Sequence, residues 1–211
     1  MAEPTIISGS IFTKVIKHNV HHVDEKTCTM PVVVQVNNFT EESAAKFYGD
    51  MSKAENTDQE IIPIVIDSFG GQIYSLFAMI DCIRASKKKI ATVCVGKSMS
   101  CGAVLLSCGH DGYRFGSPMS TMLIHDASGH EWGKVEEIKM GAAEIDRLNK
   151  SFYNIMDRNC GHEEGYFQKL VHEKSHADWF LTPEEAKLHN LINHIRLPKI
   201  EITVSAETRL V

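Results

Sequence analysis

The fold is decided by the stretch Ile90-Ala-Thr-Val-Cys-Val-Gly-Lys-Ser-Met-Ser-Cys-Gly-Ala-Val-Leu-Leu106. Its first six residues form an apolar run that predicts a buried strand, and the segment from Ala103 onward predicts the start of a buried helix. The small residues between them indicate a sharp turn, which we expect Ser98 to shape. Such a turn holds its central side chain outward and directs the free N–H groups of the helix start to the same place. Ser100 is therefore a candidate nucleophile.

Strands and helices alternate on both sides of this stretch. Apolar runs predict further strands near residues 31–36, 61–66, 113–115, 119–124, 178–181 and 191–195. Helical spacing and capping residues predict helices near residues 41–54, 72–86, 101–108, 134–159, 163–174 and 183–190. The alternation and the short connections favour an α/β fold with a largely parallel sheet.

Three chemically useful segments follow apolar strands of this predicted sheet. They are the pair Gly70-Gly71, the residue Ser100 and the residue His125. Functional groups of parallel sheets gather at the carboxyl ends of the strands, so we expect these segments to lie at one edge. A flexible backbone turn, a hydroxyl and an imidazole are the parts of an acyl-transfer site.

Composition excludes several other classes of protein. The chain has 211 residues with 43% hydrophobic content, which suits one domain with a real core. The net charge of -5 argues against a nucleic-acid binder, and no apolar run is long enough to span a membrane. The N-terminus lacks the pattern of a secretory signal, and none of the six cysteines form a C-x-x-C pair. We therefore expect reduced thiols and a cytoplasmic location.

Eleven histidines are many for this length and raise the question of a metal site. His172 and His176 are four residues apart, which on a helix would place them on one face. No set of cysteines and histidines with zinc spacing accompanies them or the pair His21-His22. We expect solvated surface histidines, no metal site and no cofactor.

Four segments together resemble the proteolytic subunit of the Clp protease, the ClpP family, over roughly residues 60–195. They are Asp67-Ser-Phe-Gly-Gly71, Gly96-Lys-Ser-Met-Ser-Cys-Gly-Ala103, Met122-Leu-Ile-His-Asp126 and Asp178-Trp-Phe-Leu-Thr-Pro-Glu-Glu-Ala186. Each segment is a weak signal alone, but the four occur in the family's order and spacing. The chain departs from the family at Phe69, where the family has proline, and before Asp178, where an arginine that links two rings is missing.

The resemblance implies a role for each candidate site residue. Ser100 would be the nucleophile, His125 the general base, and Asp178 the acid that orients the imidazole of His125. The backbone N–H groups of Gly71 and Cys101 would form the oxyanion hole.

The resemblance also implies an architecture and an assembly. The fold would be a ClpP/crotonase-like spiral of βαβ units with a protruding long helix, the handle, at about residues 133–160. An N-terminal arm (1–30), a peptidase domain (31–197) and a C-terminal tail (198–211) would follow one another. The implied activity is that of a serine endopeptidase cleaving unfolded or threaded polypeptides and short peptides inside a chamber of stacked heptameric rings. An AAA+ unfoldase would be a possible partner, and neither nucleic acid nor membrane would be bound.

Three alternatives remain open from the sequence. The same spiral fold serves crotonase-type acyl-CoA enzymes, which polarise a thioester with two N–H groups and do not need a serine, a histidine and an aspartate together. The chain could also be an inactive subunit that only assembles rings. Thirdly, Lys97 could act as the base of a Ser–Lys peptidase, although it lies only three residues before Ser100.

Overall fold

The computed structural model describes residues 31–199. The predicted arm at residues 1–30 and all but the first two residues of the predicted tail lie outside the described residues. Within the described range the elements follow the order β1 (Val34–Val36), α1 (Glu41–Glu55), β2 (Ile61–Ser68), α2 (Ile73–Ala85), β3 (Lys89–Met99), α3 (Cys101–Ser107), β4 (Arg114–Gly116), β5 (Thr121–Ile124), α4 (Val135–Cys160), α5 (Tyr166–Glu173), β6 (Trp179–Leu181), α6 (Pro183–Leu188) and β7 (His194–Ile195).

The strands form one mixed sheet that is parallel at every pairing except one. The main path runs β1-β2-β3-β4-β7, and β5 pairs with β3 and with β6. Only the β5–β6 pair is antiparallel. The prediction of an α/β fold with a largely parallel sheet is confirmed. The predicted first and last strands are shorter in the structure, at three and two residues.

Strand β3 is longer than predicted and serves two sets of neighbours. Its first part lies between β2 and β4, and on the β4 side Lys97–Met99 then pairs with β5, while Ser98 still pairs with Ser68 of β2. The change of partner follows Gly96, whose φ of 75° only glycine adopts at low cost. Ser98 is therefore a fully buried strand residue, and its expected place in a turn is wrong. The error arises because the strand partner, β5, lies far along the chain and small residues give no local strand signal.

The helices cover the sheet and close the core. Helices α1 and α2 pack together, and the fully buried helix α3 lies between β3 and α4. The predicted start of α6 is confirmed, because Thr182 caps the helix in a capping box with Glu185 and Pro183 occupies the first turn. Helix α1 begins in the same way at Thr40, whose side chain accepts from the N–H of Ser43.

The two halves of helix α4 differ in burial. The helix has 26 residues, which gives a length of about 39 Å at 1.5 Å per residue, and it ends at Gly161 in the left-handed conformation. Its buried residues begin only at Leu148, whereas apolar side chains of the first half such as Val135 and Met140 are exposed. Among residues 31–199 no helix is both long and apolar enough to cross a membrane.

Candidate active site

Ser100 occupies a strained turn between β3 and α3. It is the residue before the helix, with φ of 54° and ψ of −120°, and its backbone N–H donates to the carbonyl oxygen of Leu123 at 2.9 Å. A non-glycine residue at positive φ costs about 1–3 kcal/mol and persists only where its surroundings enforce it. The side chain of Ser100 does not cap the helix. The turn thus has the geometry of a nucleophile elbow although Ser98 replaces the usual glycine.

The pair Gly70-Gly71 leaves room for Ser100 and for the backbone of Phe39. A Cβ atom on Gly70 would lie 2.8 Å from Cβ of Ser100 and 3.3 Å from its Oγ. A Cβ atom on Gly71 would lie 2.5 Å from the carbonyl oxygen of Phe39. Both glycines also have positive φ, at 107° and 150°. Neither position accepts a side chain without displacing its neighbour, and this explains why glycine occupies both positions.

Two backbone donors beside this turn have no acceptor among residues 31–199. Within the described part of the chain, the N–H groups of Gly71 and Cys101 have no hydrogen-bond acceptor, whereas Gly70 donates to Oγ of Ser68 at 3.1 Å. Cys101 is the first residue of helix α3, and the first N–H groups of a helix have no acceptor within the helix. These two donors are available to a developing oxyanion.

The thiol of Cys101 points into the protein. Its Sγ donates to the carbonyl oxygen of Gly71 at 3.2 Å, and the residue is fully buried. Burial raises the pKa of this thiol to about 11, so it is protonated at neutral pH. Cys101 therefore contributes its backbone to this region and is a poor nucleophile.

Strand register brings His125 and Asp178 opposite one another. In the antiparallel β5–β6 pair Ile124 lies across from Trp179, so the next residue of one strand faces the preceding residue of the other. Nδ1 of His125 lies 3.6 Å from Oδ1 of Asp178. This is within ion-pair range and slightly long for a hydrogen bond, as is common in sites without substrate.

A second register brings Ser100 to the same edge of the sheet. Met99 pairs with Leu123 in the parallel β3–β5 pair, so Ser100 leaves the sheet close to where His125 leaves it. Among residues 31–199 there is no hydrogen bond between Oγ of Ser100 and the imidazole. All five predicted site residues thus lie on segments that the sheet brings to one edge.

Lys97 is held away from the role of a base. Its Nζ lies 2.6 Å from Oδ1 of Asp67 and 4.3 Å from the centre of the Phe69 ring. Both contacts lie at the end of β2 and in the glycine turn after it, so the ammonium of Lys97 is engaged by Asp67 and Phe69. The structure gives the Ser–Lys alternative no support.

Asp126 follows His125 but engages a different group of residues. Its carboxylate accepts hydrogen bonds from Asn149, Tyr153 and His176. Burial raises the pKa of this carboxyl, but these hydrogen bonds together outweigh burial and hold the pKa below its usual range. Sequence reasoning missed this cluster, since its members are spread over three distant segments.

A protein-family model described as Clp protease matches residues 19–198, which is more than half of the chain. The mixed α/β architecture with its parallel sheet and six helices in residues 31–199 fits that family.

Proposed function

The chain belongs to the Clp protease family, and we propose that it is a serine endopeptidase that cleaves unfolded or threaded polypeptides and short peptides. The observation that carries this proposal is the pair His125 and Asp178, which face each other across β5–β6 beside the strained turn at Ser100. A serine hydroxyl becomes a useful nucleophile only when an oriented imidazole takes its proton.

The first half of the reaction forms an acyl-enzyme. Oγ of Ser100 attacks the carbonyl carbon of the scissile peptide while Nε2 of His125 takes the hydroxyl proton. The carbonyl oxygen becomes an oxyanion that accepts hydrogen bonds from the N–H groups of Gly71 and Cys101. The tetrahedral intermediate then collapses, the C–N bond breaks, and His125 gives its proton to the leaving amine.

The second half of the reaction hydrolyses the acyl-enzyme and regenerates the free serine. A water molecule gives a proton to His125 and attacks the ester carbon, and the proton returns to Oγ of Ser100 as the new carboxyl group leaves. The carboxylate of Asp178 accepts a hydrogen bond from Nδ1–H of His125, which fixes the tautomer and stabilises the imidazolium formed in both halves of the reaction. Closing the 3.6 Å separation to hydrogen-bond length needs only a small side-chain movement.

The exposed half of α4 supports the proposed assembly. Val135, Ile138 and Met140 on this half are exposed to solvent, and Trp132, just before the helix, is 99% exposed. Exposed apolar clusters of this kind mark contact surfaces. We propose that this half is the handle that packs against a facing ring, in stacked heptameric rings that enclose the sites and that an AAA+ unfoldase feeds.

The thiols fit the proposed cytoplasmic setting. All five cysteines among residues 31–199 are free, which suits a reducing compartment.

The proposal is tested by hydrolysis of a fluorogenic peptide with the purified assembly and with S100A. We expect S100A to lose peptide hydrolysis while keeping the particle mass of the wild type in native mass spectrometry. Undiminished hydrolysis by S100A contradicts the proposal. Turnover of an acyl-CoA thioester instead of peptides favours the crotonase-type alternative, and an inactive wild type with intact rings favours an assembly subunit.

A further inference from the structure

Asp126, His172 and His176 bring three metal-ligand side chains to one point outside the proposed catalytic residues. Their ligand atoms all lie within 4.8 Å of one another. Nδ1 of His176 lies 2.8 Å from Oδ2 of Asp126, and Nε2 of His172 lies 3.6 Å from Oδ1 of the same carboxylate. We propose that these three residues form a binding site for a divalent transition metal ion, with zinc as the best match.

The separations suit a tetrahedral ion. Zinc binds histidine nitrogen and carboxylate oxygen at about 2.0–2.2 Å, so ligand atoms at the corners of a tetrahedron lie about 3.4 Å apart. The separations from the two histidines, which run to the two different oxygens of the Asp126 carboxylate, lie on either side of this value. Two imidazoles and one carboxylate are a zinc-type donor set, and they leave a fourth position for water.

The end of helix α5 explains how two histidines meet. The N–H of Ser175 donates to the carbonyl oxygen of His172, and the N–H of His176 donates to that of Val171, which together make a Schellman motif. Ser175 and His176 have φ of 60° and 57°, a conformation that side chains rarely adopt. The turn places the two imidazoles with their centres 3.8 Å apart. Strain of this kind is characteristic of functional positions.

The carboxylate is oriented from a separate element. Nδ2 of Asn149 and the hydroxyl of Tyr153, both on α4, each donate to Oδ1 of Asp126 at 3.0 Å. Donors of this type hold a ligating carboxylate in place in metal sites. The side chains of His172 and His176 are 38% and 58% exposed, so an ion can enter from solvent.

The site would tie together segments that also carry the proposed catalytic residues. Asp126 is adjacent to His125 along the chain, and His176 precedes Asp178 by two residues. A bound ion would therefore join the exit of β5 to the segment between α5 and β6. Metal binding itself does not depend on the proposed peptidase activity.

The test is a zinc titration of the full chain in competition with a chromophoric zinc indicator, for the wild type, H172Q, H176Q and H130Q. His130 is an exposed histidine outside the cluster, which makes H130Q the matched control. We expect H172Q and H176Q each to bind one zinc ion per chain fewer than the wild type, and H130Q to bind the same number. The difference isolates this site from any other zinc bound by the chain.

Melting temperature and circular dichroism distinguish a lost zinc site from a misfolded variant. Zinc should raise the melting temperature of the wild type and of H130Q, and should raise it less in H176Q, whose far-ultraviolet circular dichroism should match that of the wild type. Equal zinc stoichiometry in the wild type and both histidine variants overturns the proposal. A wild type that binds no zinc, or an equal loss in H130Q, overturns it as well.

Discussion

The thiol of Cys101 donates a hydrogen bond to the carbonyl oxygen of Gly71, with 3.2 Å between Sγ and the oxygen. These are the two residues whose backbone N–H groups we expect to bind the oxyanion. One buried side chain thus connects the start of α3 to the glycine turn after β2. The spacing of the two donors depends on this contact as well as on the sheet.

Removing the thiol should loosen this connection. For C101A we expect the free energy of unfolding in urea to fall by about 1.5 kcal/mol, from a lost hydrogen bond and a small cavity. A loss of about 1 kcal/mol of transition-state stabilisation would lower kcat/KM roughly fivefold. C82A is the control, because Cys82 lies on α2 away from the site, and it should keep the wild-type kcat/KM. Wild-type kcat/KM in C101A would show that the contact does not position the donors.

The buried thiols should resist alkylation in the folded protein. Burial raises the pKa of Cys101 and Cys108 to about 11 and that of Cys160 to about 12, and the reactive thiolate forms only as the pH approaches these values. We expect iodoacetamide at pH 8 to leave these residues unmodified by mass spectrometry and to leave peptide hydrolysis intact. The same protein unfolded in urea should be alkylated at each of them. Rapid native alkylation of Cys101 with loss of activity would point to a cysteine nucleophile.

A side chain at position 70 should impair catalysis. In G70A the new Cβ would lie 2.8 Å from Cβ of Ser100, which forces the nucleophile or the turn to move. Because a displacement of about 1 Å can cost about 100-fold in rate, we expect kcat/KM to fall by about that factor. G49A is the matched control, since Gly49 lies in α1 with open space around it, and it should keep full activity. Equal activity of the two variants would contradict the position assigned to Gly70.

Asp178 should act through the imidazole and not through substrate binding. D178N keeps the shape of the side chain but favours the wrong tautomer of His125, so we expect kcat to fall by about 10⁴-fold with little change in KM. D81N changes an exposed carboxylate on α2 and serves as the control. Steady-state kinetics on a fluorogenic peptide make the comparison. A fall of less than about tenfold in D178N would remove Asp178 from the catalytic set.

Local sequence signals predicted the helices and strands, but they did not predict how the strands pair. Helix α6 was predictable from Thr182-Pro183, and the alternation of strands and helices predicted the parallel sheet. The strand character of Ser98 was not predictable, because it depends on pairing with β5. The meeting of His125 with Asp178 likewise depends on the β5–β6 register, and only the family resemblance indicated it.

The burial of Arg114 and the cluster at Asp126 could not be predicted from the sequence. Arg114 is 2% exposed and donates to the carbonyl oxygens of Gly109, Asn159 and Asn190, although arginine is rarely buried. The cluster at Asp126 needs a helix end with positive φ at a serine, where glycine is the usual signal. Long-range contacts of this kind leave no periodic pattern in the chain.

The most direct test of the central claim is covalent labelling of the intact protein with a fluorophosphonate, followed by mass spectrometric mapping of the adduct. We predict one adduct per chain on Ser100, and loss of labelling in S100A and in H125A, while S98A remains labelled. Labelling on any other residue, or unchanged labelling of S100A, would contradict the assignment of Ser100 as the nucleophile.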